Sequence, residues 1–92
     1  MLNMTVKWSK RALYDFSRIA LWIERDNPRS AQALVKDIRK KTKRLADFPF
    51  MGRAGAYGDI REFVVHKNYI ISYRVRRNVV EIIQVWHIRE KR

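Results

Sequence analysis

The chain has no cysteine, only two prolines and three glycines, and few acids: 9 Asp and Glu stand against 21 Lys and Arg in 92 residues. Without cysteine, neither disulfides nor thiolate-bound metal can hold it together, which fits a reducing cytoplasm. Two histidines, His66 and His87, with no cysteine and no clustered acids beside them, do not make a zinc site. Nothing in the pattern asks for a cofactor. No apolar run approaches the length of a membrane span, and Met1-Leu2-Asn3-Met4-Thr5 lacks the apolar core of a signal peptide. The expectation is therefore a cytoplasmic protein with no membrane partner.

The scarcity of acids leaves a net charge of +12 on a very small surface. Such a chain attracts polyanions, so nucleic acid, a ribosome or an acidic protein are all physically reasonable partners. At this length the chain is expected to be a single domain over 1–92, because two cores would each be too small to outweigh their chain entropy. A hydrophobic content of 47%, with 11 aromatic residues among the Trp, Tyr and Phe, is enough to build one core and argues against disorder.

Met4 to Trp8 reads as a short strand. Ser9 then supplies an N-cap, and Ala12, Leu13, Phe16, Ile19, Ala20 and Ile23 recur at helical spacing. That helix should end near Glu24 to Asp26, because Asn27 is an N-cap type and Pro28 suits the first helical position, where its missing N–H costs nothing. The second helix places Ala31, Leu34, Val35, Ile38 and Leu45 on one face and Lys36, Arg39, Lys40, Lys43 and Arg44 on the other. So short a link between two helices implies a hairpin whose joined apolar stripes need a sheet to cover them.

All three glycines and Pro49 fall between Phe48 and Gly58, which reads as a loop. Beyond it, Ile60 to Val65, Tyr69 to Arg76 and Val79 to His87 are rich in β-branched and aromatic residues. They are separated by His66-Lys67-Asn68 and Arg76-Arg77-Asn78, both suited to hairpin turns. In the middle strand Tyr69, Ile71, Tyr73 and Val75 alternate with Ile70, Ser72, Arg74 and Arg76, so one face is expected in the core and the other partly wet. The predicted fold class is α+β in the order β-α-α-β-β-β, a helical hairpin on one face of a small antiparallel sheet. Trp8 and Trp86 are expected in the core, and Tyr14 and Trp22 outside the first helix's apolar stripe.

Several pieces, in this order and spacing, resemble the ParE branch of the RelE/ParE superfamily of bacterial toxin-antitoxin toxins. They are Trp8-Ser9 with Ala12-Leu13 and Asp15, the Asn27-Pro28 junction, and Arg44-Leu45-Ala46-Asp47-Phe48-Pro49 with Met51-Gly52-Arg53. Arg61-Glu62-Phe63-Val64-Val65, Asn68 to Val75, and Val80 to His87 with Arg89 follow. The resemblance implies a toxin neutralised by a co-expressed acidic antitoxin, in a toxin-antitoxin hetero-oligomer. ParE-like members are associated with poisoning of DNA gyrase, whereas RelE-like members cut messenger RNA on the ribosome, and fold alone does not choose between them.

Metal-free RNA cleavage needs a base at the 2′-hydroxyl, an acid for the leaving oxygen and cations around the phosphorane. In RelE-like cutters an arginine commonly follows the strand tyrosine that Tyr69 resembles, but this chain has Ile70 there. His87 stands where some RNA-cutting relatives place a catalytic histidine, so a nuclease would use His87 with Arg61 and Arg89. Otherwise His87 ends a strand and bonds locally, and His66 is a turn residue. Arg61 either meets a partner's carboxylate through a bidentate fork or pairs internally with Glu81 or Asp59. Gly52 would permit a turn, with Arg53 packing on a helix terminus. The target-binding set is Arg61, Arg74, His87 and Arg89, and the antitoxin-binding set is Tyr14, Trp22 and Arg61. The leading expectation is a gyrase-directed toxin acting by binding, with a ribosome-dependent endoribonuclease and an inactive basic binding module as alternatives.

Overall fold

The structure, a computed structural model, describes residues 4–90. The chain runs β1 (Thr5–Trp8), α1 (Lys10–Asp26), α2 (Pro28–Arg44), β2 (Arg53–Ala54), β3 (Arg61–His66), β4 (Tyr69–Arg76) and β5 (Val79–His87), then a single 3₁₀ turn at Ile88–Glu90. Both helix starts form as their caps dictate. The Ser9 side chain accepts from the Ala12 N–H and that of Asn27 from the Ser30 N–H, with Pro28 following in the first turn.

The two helices cover one face of a five-stranded sheet in the order β1-β5-β4-β3-β2. The sheet is mixed rather than wholly antiparallel, because β1 lies parallel to β5, with Thr5 opposite Val79 and Trp8 opposite Ile82. A strand that leads into a helical hairpin returns to the sheet as a crossover, and β1 is the piece that makes it so. The expected loop at 48–58 also contributes β2, two residues paired with Arg61 and Glu62.

The core lies between helices and sheet: Ala12, Ile19, Leu34, Ile38 and Leu45 meet Val65, Ile71, Tyr73, Val80, Ile82 and Val85. Leu13, expected in the apolar stripe, is about half exposed at 51%. A buried carboxylate, Asp15, stands on the inner face of α1 in its place, only 1% exposed. Trp8 lies at the margin of the core and stacks on Phe16 at 5.3 Å. The outer sheet face is less wet than expected, since Ile70 and Trp86, cross-strand partners there, are both buried. Trp86 Nε1–H donates to Ser72 Oγ at 3.0 Å.

Asp15 has a definite task. The β4–β5 register passes from Ser72↔Gln84 to Tyr73↔Ile82, so Ile83 is an extra residue in β5. There β1 has ended, and α1 takes over the edge. Ser9 N–H donates to the Ile82 carbonyl and Ser9 Oγ–H to that of Ile83, both at 2.9 Å, while Asp15 Oδ2 accepts the Val85 N–H at 3.1 Å. Its other oxygen accepts Arg11 Nε–H at 2.9 Å. A buried carboxylate is tolerated because both oxygens are bonded.

A second lashing fixes the loop before β2. Arg61 and Tyr73 are directly opposite in the β3–β4 register. The Tyr73 hydroxyl donates to the Pro49 carbonyl and accepts the Gly52 N–H, both at 2.9 Å. Arg61 Nη1–H donates to the carbonyls of Gly52 at 2.7 Å and Phe50 at 3.3 Å, with its guanidinium 5.0 Å from the centre of the Phe50 ring. Gly52 serves this close approach rather than a turn: a Cβ there would lie 2.6 Å from Tyr73 Oη and 2.7 Å from the Glu62 carbonyl oxygen. Arg53 bonds Glu62 across the strand pair at 3.3 Å instead of packing on a helix end.

Candidate functional site

At the end of the sheet where β4 begins and β5 finishes, Tyr69 and His87 are cross-strand partners. Their rings meet edge to face, 5.1 Å between centres. The second half of α1 passes beside them. Together they enclose a cleft of ≈ 430 Å³ lined by Arg18, Ile19, Trp22, Ile23, Tyr69, His87, Arg89 and Glu90.

The cleft unites three of the residues singled out in the sequence, Trp22, His87 and Arg89, and adds Arg18, Tyr69 and Glu90. Its chemistry follows from the short turn after β5. Arg89 N–H donates to His87 Nδ1 at 3.0 Å, so the neutral imidazole carries its proton on Nε2. Glu90 Oε1 accepts the His87 N–H at 2.7 Å. Burial, with Glu90 nearby, pushes the Tyr69 phenol above its ordinary value of 10.0, against a smaller opposing pull from Arg18. At neutral pH Tyr69 is a hydrogen-bond donor. The arrangement offers two guanidinium groups, an indole face and donor groups, and suits the binding of an anionic or aromatic group.

The remaining residues of the expected sets lie elsewhere. Arg61 is turned into the 50–52 loop, roughly 13 Å along β4 from the cleft, judged from the spacing of Tyr69 and Tyr73. It pairs with neither Glu81 nor Asp59. Glu81 bonds Arg74 at 2.9 Å, and Asp59 bonds Arg76 at 3.1 Å. The bond from Arg76 holds the Asp59 carboxyl below its ordinary value. Arg74 is thus engaged on the outer sheet face. Tyr14 and Trp22 are 64% and 65% exposed on α1. His66 is more than a turn residue: the register slips at Val65, and His66 Nδ1–H donates to Asp37 Oδ2 of α2 at 2.8 Å.

Sequence reasoning missed Arg18 and Tyr69 as parts of one cleft. The signal was present, because the two-residue hairpin after Arg76 sets Arg74 opposite Glu81, and the same register, shifted once by the bulge, sets Tyr69 opposite His87. On the far side of α1, a second groove runs between the helices over Ala20 and Val35, lined further by Trp8, Leu13, Phe16, Ser17 and Arg39. A neighbouring pocket shares Ala20 and Val35 and continues past Leu21 and Lys36. Among the described residues no three His, Cys, Asp or Glu gather as a metal site, and no helix is long and apolar enough to cross a membrane.

Comparison with known proteins gives one consistent result. Residues 6–92 match the family model described as the ParE toxin of the type II toxin-antitoxin system, parDE. Y4kP of Sinorhizobium fredii, a protein that carries the name of a toxin, is 36% identical over 92 residues, spanning 99% of this chain and 95% of the relative. Toxin RelE2 of Caulobacter vibrioides is 34% identical over 82 residues, 89% of this chain and 92% of its own. Among solved structures, the chromosomal ParDE system of P. aeruginosa superposes with a TM-score of 0.83 at 21% identity, covering 94% of this chain and 97% of that one, a likeness of fold.

Proposed function

The chain belongs to the ParE toxin family of type II toxin-antitoxin systems, and from that membership we propose that it arrests growth by binding DNA gyrase, without cutting RNA, until an acidic antitoxin covers it. The observation that carries binding over cutting is the state of His87. Its Nδ1 is occupied by the Arg89 N–H and its Nε2 bears the proton, so the ring has no free basic nitrogen to take a proton from a 2′-hydroxyl. The nearby Glu90 Oε1 is held on backbone, and Tyr69 stays protonated. The position after Tyr69, where RelE-like cutters carry an arginine, is Ile70, and it is buried.

The cleft with Trp22, His87 and Arg89 is the target-facing region in this reading. The inter-helix groove suits the antitoxin. Its floor of Ala20 and Val35 lets a helix approach closely, exposed Leu13 and Leu21 offer apolar anchors, and Arg39 and Lys36 on the α2 rim favour an acidic partner. Tyr14 flanks this surface, while Arg61, bound to its own loop, contributes through the shape of the 49–52 segment.

The test is a supercoiling assay with purified gyrase. Inhibition, with accumulation of cleaved DNA, is expected, and unchanged supercoiling at stoichiometric excess would refute the proposal. One observation favours a second reading: the cleft gathers Arg18 and Arg89 around His87, as phosphate chemistry would require, and one relative is named RelE2. Cutting of ribosome-bound messenger by the native protein, lost in His87→Ala, would establish that reading instead.

A further inference from the structure

Among the described residues, five acids are held in ion pairs, none of them with a cation of α2. The pairs join Asp15 to Arg11, Glu62 to Arg53, Asp37 to His66, Glu81 to Arg74 and Asp59 to Arg76. The one acid within α2, Asp37, is turned to His66. The helix therefore presents Arg29, Lys36, Arg39, Lys40 and Lys43, all exposed, and none of them in an ion pair among the described residues.

At 100° per residue these five fall within an arc of about 100° opposite Leu34 and Ile38, and from Arg29 to Lys43 they extend about 21 Å. The exposed neutral residues on this face are Gln32 and Ala33, with no aromatic and no large apolar side chain. A protein helix needs an apolar anchor, and single-stranded nucleic acid needs a stacking platform. Lys36 and Arg39 border the inter-helix groove with Leu13 and Leu21, but along Arg29, Lys40 and Lys43 the stripe supplies neither, only regularly spaced charge. We propose that the outer face of α2 binds the phosphate backbone of duplex DNA without reading its sequence. A helix of about 10–12 Å diameter matches the ≈ 12 Å major groove of B-form DNA and reaches phosphates on both lips, whereas the major groove of an RNA duplex is too narrow. The stripe lies apart from the His87 cleft, and the inference does not depend on the gyrase reading.

The net charge alone would draw any polyanion, so the test must separate a local stripe from a diffuse field. Fluorescence anisotropy with short DNA duplexes of unrelated sequence is measured across a salt series. Five phosphate contacts predict a slope of log K against log salt of about −4.5, equal for all sequences. Lys40→Ala with Lys43→Ala should bring it to about −2.7. Lys7→Ala with Lys67→Ala, at exposed positions off the stripe and removing the same charge, should leave the slope unchanged. Equal losses in the two double variants would overturn the proposal. So would tighter binding of single strands or of an RNA duplex, or displacement of the DNA by an acidic peptide at equal charge concentration.

Discussion

Tyr73→Phe removes one oxygen and leaves two backbone groups without a partner. The ring is fully buried, and its hydroxyl bridges the Pro49 carbonyl and the Gly52 N–H at 2.9 Å each. The phenyl ring of the variant fits the same space, so packing changes little and the loss is almost wholly polar. A buried donor or acceptor left unmet costs about 1–3 kcal/mol, and for the two groups together, with some water entering, the expected destabilisation is about 2–4 kcal/mol. For a domain of this size that lowers Tm by roughly 10–20 °C. Urea denaturation measures the free energy, and hydrogen exchange locates it, because the Gly52 amide should lose protection while Gly52 O stays held by Arg61. A loss below about 0.5 kcal/mol, or unchanged Gly52 protection, would show that the hydroxyl does not hold the loop.

Gly52→Ala should cost about 1–3 kcal/mol through overpacking, because the new methyl meets Tyr73 and the Glu62 backbone, and a crystal structure of the variant would show the 49–52 segment displaced. Asp15→Ala should lose about 2–4 kcal/mol by leaving the Val85 N–H unmet, whereas Arg11→Ala, at the exposed end of the same pair, should lose under about 1 kcal/mol; equal losses in urea would refute this assignment of roles. Arg77→Gly should gain about 0.5–1 kcal/mol, since Arg77 and Asn78 both adopt positive φ in the β4–β5 hairpin, and a lowered denaturation midpoint would contradict it. Burial raises the Tyr73 phenol above 10.0, with the Gly52 bond and Arg61 opposing, and a group whose folded value is raised stabilises fully below its unfolded value. Stability should therefore fall only as pH rises past about 10 through the folded value, with phenolate absorbance at high pH diminished in Tyr73→Phe.

The helices and the meander were legible because their signals are local. Ser9, the Asn27-Pro28 junction and the period-two run of β4 each act within a few residues of themselves. What escaped is long-range. The bulge at Ile83 sits in an apolar run with no glycine to mark it, and it exists because Ser9 and Asp15, about seventy residues away, receive its backbone groups. Arg61 was weighed against Glu81 and Asp59 as partners, yet those acids belong to Arg74 and Arg76, and Arg61 spends its donors on carbonyls, which carry no mark in a sequence. The cleft was half visible for the same reason: Trp22, His87 and Arg89 stood out singly, but only the helix crossing the sheet end brings Arg18 and Tyr69 to them.

The place of β5 has a consequence for how this protein comes into being. The strand made last of the five lies between β1 and β4, so β1 has nothing to pair with until residues 79–87 have left the ribosome. During synthesis the amphipathic helical pair emerges first and waits with its apolar side uncovered. Closing the sheet across so long a stretch of chain is a slow, late event. Until that event the apolar side of the helical pair stays open to other apolar surfaces, and the last strand to be made is the one that closes it.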